Sequence, residues 1–280
     1  MANTFFSDCK TTILEGDCRE LLPTLSDNSI DLIVTSPPYA KARQQQYGGI
    51  AHEEYVEWFL PIGQELLRVL KPSGTFILNI KENVVKGERS GYVLDLIQAL
   101  REQGWLWTEE FIWSKKNPIP GKWNNRFRDG WERLLQFNKH KRFAMYQEAV
   151  KIPCKANTAK RLLHPSVKDL TRDAFSASGS GFGHSAATWV YHEFVYPSNV
   201  LYLACETKNR HHSAVFPESL PEWFVKLFTV ENDTVLDPFA GSGTTGAVCV
   251  RLNRNFIGIE KMPQYVSVAR ERINNSNTRR

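Results

Sequence analysis

The sequence predicts an α/β protein: a mostly parallel sheet with helices on both faces and a basic module inserted between its two halves. Three observations carry that class. Strand-like runs alternate with stretches of helical periodicity at both ends of the chain, the pattern of parallel strands joined by helical crossovers. A proline-rich and a glycine-rich loop each follow such a strand directly, where open α/β sheets place their ligands. From 116 to 198 the periodicity gives way to Pro, Gly, Asn and basic residues.

Taken in order, "TTILEGD" (11–17) reads as a strand ending at Asp17, "CRELLPTL" as a helix and "SIDLIVTS" (29–36) as a second strand. "EEYVEWFLPIGQELLRVL" (53–70) has apolar residues at helical spacing and stops at Lys71-Pro72-Ser73-Gly74, and "TFILNI" (75–80) is a buried-strand run. "YVLDLIQALREQGW" is a helix and "WTEEFIWSK" (107–115) a strand. The middle ends in a Ser/Gly-rich tract, "FSASGSGFGHSAA" (175–187), of loop composition. Order returns near "NVLYLAC"; "PESLPEWFVKLFT" (217–229) reads as a helix, "DTVLDPF" (233–239) as a strand, "GTTGAVCVRLN" as a helix, "NFIGIE" (255–260) as a strand and "PQYVSVARERIN" as the last helix. The expected organisation is a first half at 1–115, a separate inserted module at 116–198, and a second half at 199–280.

With 280 residues, 42% of them hydrophobic, the chain can bury a substantial core. It has no 18-residue apolar run, and the start MANTFFSDCK lacks the regions of a signal peptide, so cytoplasm is the expected compartment. Cys9, Cys18, Cys154, Cys205 and Cys249 are scattered and form no CxxC, which signals neither a disulfide framework nor a zinc site. No metal is expected, and His211-His212 reads as a loop feature. The charge is regional. Of the net +5, the segment from Lys115 to Arg172 holds 15 Lys and Arg against four acids, an excess of 11, leaving the rest of the chain acidic by 6. Trp123, Phe127, Trp131, Phe137 and Tyr146 lie among those cations, as in a surface that contacts phosphates and stacks on bases.

Two loops carry the chemistry. "LIVTSPPYA" (32–40) drives a strand into Ser36, two prolines and Tyr39. Proline fixes φ and removes a donor, so the segment is stiff and presents acceptors, with a ring beside them for stacking. "LDPFAGSGTTG" (236–246) follows a strand and opens a helix. Its small residues let backbone amides approach a ligand, and Glu260, ending the next strand, can take ribose hydroxyls. Gly241, Gly243 and Gly246 also spell G-x-G-x-x-G, the pattern of an NAD-binding oxidoreductase. Only twenty residues follow Glu260, too few to complete a dinucleotide-binding half. The remaining strands must come from the N-terminal half, which makes the sheet Rossmann-like but circularly arranged.

The chain at this point resembles the S-adenosylmethionine-dependent DNA amino-methyltransferases, whose signatures are an (Asp, Asn or Ser)-Pro-Pro-(Tyr or Phe) tetrapeptide and a Phe-x-Gly-x-Gly loop. Here these are Ser36-Pro37-Pro38-Tyr39 and Phe239-Ala240-Gly241-Ser242-Gly243. Their order, with the recognition region between them, resembles the beta group. "GDCRELLPTLSDNSIDLIVTSPPY", "LKPSGTFILNI", "FIWSKKNPIP", "WERLLQFNK" and "HSAVFPESLPEWFVKLFT" extend the likeness over most of the chain. The Ser form of the tetrapeptide resembles the cytosine-N4 enzymes; Asp is the usual adenine-N6 form, and an adenine target stays open as the alternative. Cytosine-C5 enzymes need a Pro-Cys nucleophile and a Glu-Asn-Val segment; Pro153-Cys154 and Glu82-Asn83-Val84 occur here in the wrong order. RNA and protein amide methyltransferases also use Asn- or Asp-Pro-Pro-Tyr, but their glycine loop typically precedes it.

The resemblance implies that Ser36, Pro37, Pro38 and Tyr39 are catalytic and that the target base is flipped out of double-stranded DNA. It further implies that Asp237, Pro238, Phe239, Ala240, Gly241, Ser242, Gly243 and Thr244 hold the methionine and sugar parts of S-adenosylmethionine, with Glu260 at the ribose, Asp17 on the adenine side, and Thr35 and Phe216 nearby. Lys115, Lys116, Lys122, Arg126 and Arg128 are the expected DNA contacts. A restriction-modification role with a cognate endonuclease, and a homodimer, are compatible with the resemblance.

Overall fold

A computed structural model of the chain describes residues 4–7, 10–40, 49–118, 121, 124–167, 192–206 and 216–277. The Ser/Gly tract, His211-His212 and Lys122 lie outside the described residues.

Strands β1 (Thr4–Ser7), β2 (Thr11–Glu15), β3 (Ile30–Thr35), β4 (Leu70–Ile80), β7 (Leu106–Lys115), β8 (Trp131–Asn138), β11 (Val200–Leu203), β12 (Thr234–Asp237) and β13 (Asn255–Glu260) form one sheet in the order β1-β2-β13-β12-β3-β4-β8-β7-β11. β2, β13, β12, β3 and β4 are mutually parallel; β8 runs antiparallel to β4 and β7, and β1 to β2. The C-terminal strands β12 and β13 therefore sit between the N-terminal strands β2 and β3, a circular arrangement of the sheet. Small hairpin strands β5 (Val84–Val85) and β6 (Glu88–Arg89) pair with each other outside the sheet.

Helices α1 (Cys18–Leu21), α2 (His52–Val69) and α3 (Tyr92–Glu102) cover one face. Their apolar residues Tyr55, Phe59, Leu66 and Leu96 share a core with Ile33, Phe76, Leu78, Leu236 and Ile259. The alternate strand residues Leu32, Val34, Ile77 and Val235 are also buried but lie outside that core, as side chains on the other face of the pleat do. Helices α5 (Ser219–Phe228), α6 (Thr244–Arg251) and α7 (Pro263–Asn277) pack on one another and on the sheet, burying Phe224, Phe228 and Val248.

The expected boundary at 116 is corrected by β8. "WERLLQFN" lies inside the basic stretch, yet it is a central strand between β4 and β7. Its interior is partly polar: Gln136 donates to Asn138 at 2.8 Å, and Asn138 donates to the Gly74 carbonyl and the Thr75 hydroxyl, both at 2.9 Å. This paired polar ladder removes the uniform apolar signature by which buried strands are read. The first compact unit accordingly comprises 1–146 and 199–280, and the second comprises 147–198. The second contains helix α4 (Ala156–Leu163) and a small hairpin of β9 (Ile152–Pro153) and β10 (Phe194–Val195). Among the described residues no helix is long and apolar enough to cross a membrane.

Candidate active site

Both loops leave the carboxyl ends of adjacent parallel strands, β3 and β12. Thr35, fully buried at the end of β3, donates its hydroxyl to Asp237 Oδ1 at 2.6 Å. Residues 202 positions apart in sequence are thereby joined, and the tetrapeptide and the glycine loop begin on either side of that bond. Asp237 also accepts from the Thr245 hydroxyl at 2.8 Å and the Phe239 amide at 3.1 Å. Burial pushes its carboxyl up to about 6, and the bonds from Thr35 and Thr245 oppose that shift.

In the glycine loop, Gly241 and Gly243 have φ of 52° and 76°, the left-handed region that glycine adopts without penalty. A Cβ on Gly243 would stand 2.9 Å from Ala269 of α7, and one on Gly246 would stand 2.5 Å from Ile273 and 2.7 Å from Phe256. The loop is thus folded down until only hydrogens fit. Ala240 donates its amide to the Ile259 carbonyl at 2.9 Å, and Glu260 accepts from the amides of Gly241 and Met262, both at 2.8 Å. Glu260 is buried, which pushes its carboxyl up against those two amide bonds. Ser242 and Thr244 are buried as well, and Arg272 of α7 donates to Thr244 at 2.9 Å and to Ser242 at 3.4 Å while pairing with Glu218 at 3.0 Å. Their hydroxyls brace the loop from behind.

Asp17 lies beside Glu260: β2 and β13 pair Glu15 with Glu260, and the Gly16 amide donates to the Glu260 carbonyl at 3.0 Å. Asp17 caps α1 by accepting from the Arg19 amide and forms ion pairs with Arg19 at 2.9 Å and Lys261 at 3.2 Å. The side-chain bond from Arg19 holds its carboxyl well below the usual carboxylate range. Phe239 is partly buried, with its ring centroid 6.0 Å from that of Trp58. Pro238 is buried, and Phe216 is half-buried just ahead of α5.

This donor set fits a nucleoside cofactor. Positive-φ glycines bring backbone close to whatever occupies the loop, and the Glu260 carboxylate retains lone pairs beyond the two amides it accepts.

At the tetrapeptide, the Tyr55 hydroxyl donates to the Pro38 carbonyl at 3.0 Å, and Asn83 donates to the Ala40 carbonyl at 3.0 Å. Ser36 donates to the Tyr39 hydroxyl at 3.3 Å, and Tyr39 donates to Glu132 Oε2 at 2.8 Å. Glu132, 8% exposed, further accepts from Asn79 at 3.1 Å and from Lys115 at 2.5 Å. Burial, then the Glu132 charge, raises Tyr39 well above the ordinary phenol value. Glu132 and Asn79 were not signalled by the sequence. Glu132 reaches Tyr39, and Asn79 reaches Glu132, through the antiparallel register that sets Asn79 beside Leu134 and Trp113 beside Glu132, which no local spacing encodes.

The expected DNA contacts separate. Lys115 is 15% exposed and ion-paired with Glu132, among the tetrapeptide's surroundings. Lys116 and Arg128 are exposed. Arg126 pairs with Asp129 at 3.4 Å, and Asp129 also holds Lys81 at 2.9 Å and Arg89 at 3.2 Å. Between Arg126 and Arg128, Phe127 is 94% exposed.

The profile of a family described as DNA methylase, of the N6/N4 type, matches residues 30–271. The chain is 33% identical over 285 residues to the type II methyltransferase M.PvuII of Proteus hauseri, covering 94% of this chain and 83% of that protein. It is 29% identical to the type II methyltransferase M.HinfI of Haemophilus influenzae, covering 95% of this chain and 69% of that protein. Among solved structures it is similar to the cytosine-N4-specific PvuII DNA methyltransferase, with a TM-score of 0.73 at 26% identity over 99% of this chain and 94% of the other. It shares the fold of M1.HpyAVI in complex with SAM, with a TM-score of 0.56 at 22% identity over 94% of this chain and 99% of the other.

Proposed function

The chain belongs to the N6/N4 DNA methylase family, and from that premise we propose that it transfers a methyl group from S-adenosylmethionine to the exocyclic N4 of a cytosine flipped out of double-stranded DNA. The Thr35–Asp237 bond of 2.6 Å carries this reading, because it sets an amine-accepting tetrapeptide and a nucleoside-type glycine loop on neighbouring strand ends. Cytosine is preferred over adenine on the Ser form of the tetrapeptide and the likeness to a cytosine-N4-specific structure.

An exocyclic amine is a weak nucleophile because its lone pair is delocalised into the ring. When bound, S-adenosylmethionine supplies a methyl group already activated by its sulfonium. The protein's work is orientation. The Tyr39 ring stacks on the flipped base, and the Ser36 oxygen and Pro37 carbonyl accept the two amine hydrogens, favouring a pyramidal nitrogen with its lone pair turned to the methyl. The Pro38 carbonyl is engaged by Tyr55, which holds the stiff segment against α2. The proton leaves the nitrogen to Ser36 or water. The Glu260 carboxylate takes the ribose, the 240–244 backbone with Asp237 and Phe239 the remainder, and Asp17 flanks the adenine side. Lys116, Lys122, Arg126 and Arg128 contact DNA phosphates. On the type II relatives, a cognate restriction endonuclease belongs to the same reading.

Incubation with unmethylated DNA and labelled S-adenosylmethionine, followed by digestion to nucleosides, tests it. Label in N4-methyldeoxycytidine is expected; label in N6-methyldeoxyadenosine would keep the family and move the target base.

A further inference from the structure

Glu132 governs the direction in which hydrogen bonds run at the tetrapeptide. An ionised carboxylate only accepts. Its Oε1 takes the Lys115 ammonium at 2.5 Å, and its Oε2 takes the Asn79 amide at 3.1 Å and the Tyr39 hydroxyl at 2.8 Å. Tyr39 has a single hydroxyl hydrogen, and it is committed to Glu132. On its other side the phenol oxygen can therefore only accept, and the group there is Ser36, at 3.3 Å. Ser36 in turn spends its one hydrogen on Tyr39, so toward a ligand its oxygen offers lone pairs alone.

We propose that Glu132, paired with Lys115, makes Ser36 an obligatory acceptor, so that the site takes a ring bearing an exocyclic amine and refuses a ring bearing a carbonyl at the same position. The inference deepens the amino-methyltransferase reading and rests on it. Glu132 is a positioning residue: it acts through Tyr39 and Ser36 without touching the base. A carbonyl oxygen placed against Ser36 would meet a second acceptor with no hydrogen between them, and buried polar groups left unpaired in this way give large discrimination.

Glu132→Gln preserves shape but adds an NH2 group from which Tyr39 can accept, so the line of bonds can reverse and Ser36 can donate. Tyr39→Phe keeps the ring and frees the Ser36 hydrogen. The experiment measures the affinity of the wild-type protein and of each variant for two duplexes carrying the site mapped by labelling, one with cytosine and one with uracil at the target position. Wild type is expected to favour cytosine, and each variant to narrow that preference by about tenfold. A role confined to packing would weaken both duplexes together, so an unchanged preference in both variants overturns the inference. If Glu132→Gln does not fold, Tyr39→Phe decides alone. If wild type labels adenine, the target-base reading fails by itself and the same comparison is made with adenine and hypoxanthine.

Discussion

The tetrapeptide after β3 and the glycine loop after β12 stand on neighbouring strands and are built in opposite ways. The first is stiff backbone held by side chains from three other strands: Asn79 of β4 and Lys115 of β7 converge on Glu132 of β8, which accepts the Tyr39 hydroxyl. The second is backbone brought close, with Gly241 and Gly243 in the left-handed region, Glu260 accepting an amide from in front and Arg272 bracing two hydroxyls from behind. A region made of side-chain chemistry loses function by atom deletion and keeps its shape. A region made of backbone loses its shape when an atom is added.

The largest expected effect tests the first half of that contrast. Ser36→Ala removes a proposed amine acceptor and disturbs nothing in the sheet, so single-turnover methylation should fall about a hundredfold or more while cofactor affinity measured by calorimetry stays at the wild-type value. A parallel loss of cofactor affinity would show that the two loops are not separable.

Gly243→Ala tests the second half. The added methyl meets Ala269 at 2.9 Å on a residue with φ of 76°, a strain of about 1–3 kcal/mol. Urea denaturation should show that loss, and cofactor affinity should fall with it; wild-type stability would mean that the loop has room to shift.

Asp237 sharpens the comparison through pH. Its carboxyl is raised from 3.8 to about 6 by burial, so the folded state binds its proton more tightly than the unfolded chain does. The resulting stabilisation, about 3 kcal/mol at ~1.4 kcal/mol per pKa unit, is fully present below pH 3.8 and lost as pH rises through 6. Asp237→Asn cannot titrate, so the stability advantage of wild type over this variant should shrink between pH 4 and pH 7. A pH-independent difference would refute the assignment.

The smallest effect concerns a third region. Neutralising Lys116 and Arg128, both exposed, should leave chemistry intact and lower the slope of log affinity against log salt by about 1–2. An unchanged slope would move the phosphate contacts elsewhere.

Both loops were legible in the sequence because proline and glycine restrict or free the backbone where they stand, and the circular order was legible in the tetrapeptide preceding the glycine loop along the chain. Glu132, Asn79 and Arg272 were not, because their roles depend on register and packing between elements distant in sequence. Strand β8 was hidden by its basic surroundings and by the Gln136–Asn138 ladder inside it, and with it went the true edge of the inserted unit.

Tyr39→Ala tests the division between the two loops most directly, read as cofactor affinity and single-turnover methylation on one preparation. The account predicts affinity within about twofold of wild type and a rate lowered about a hundredfold or more. Wild-type methylation, or a loss of affinity as large as the loss of rate, would contradict it.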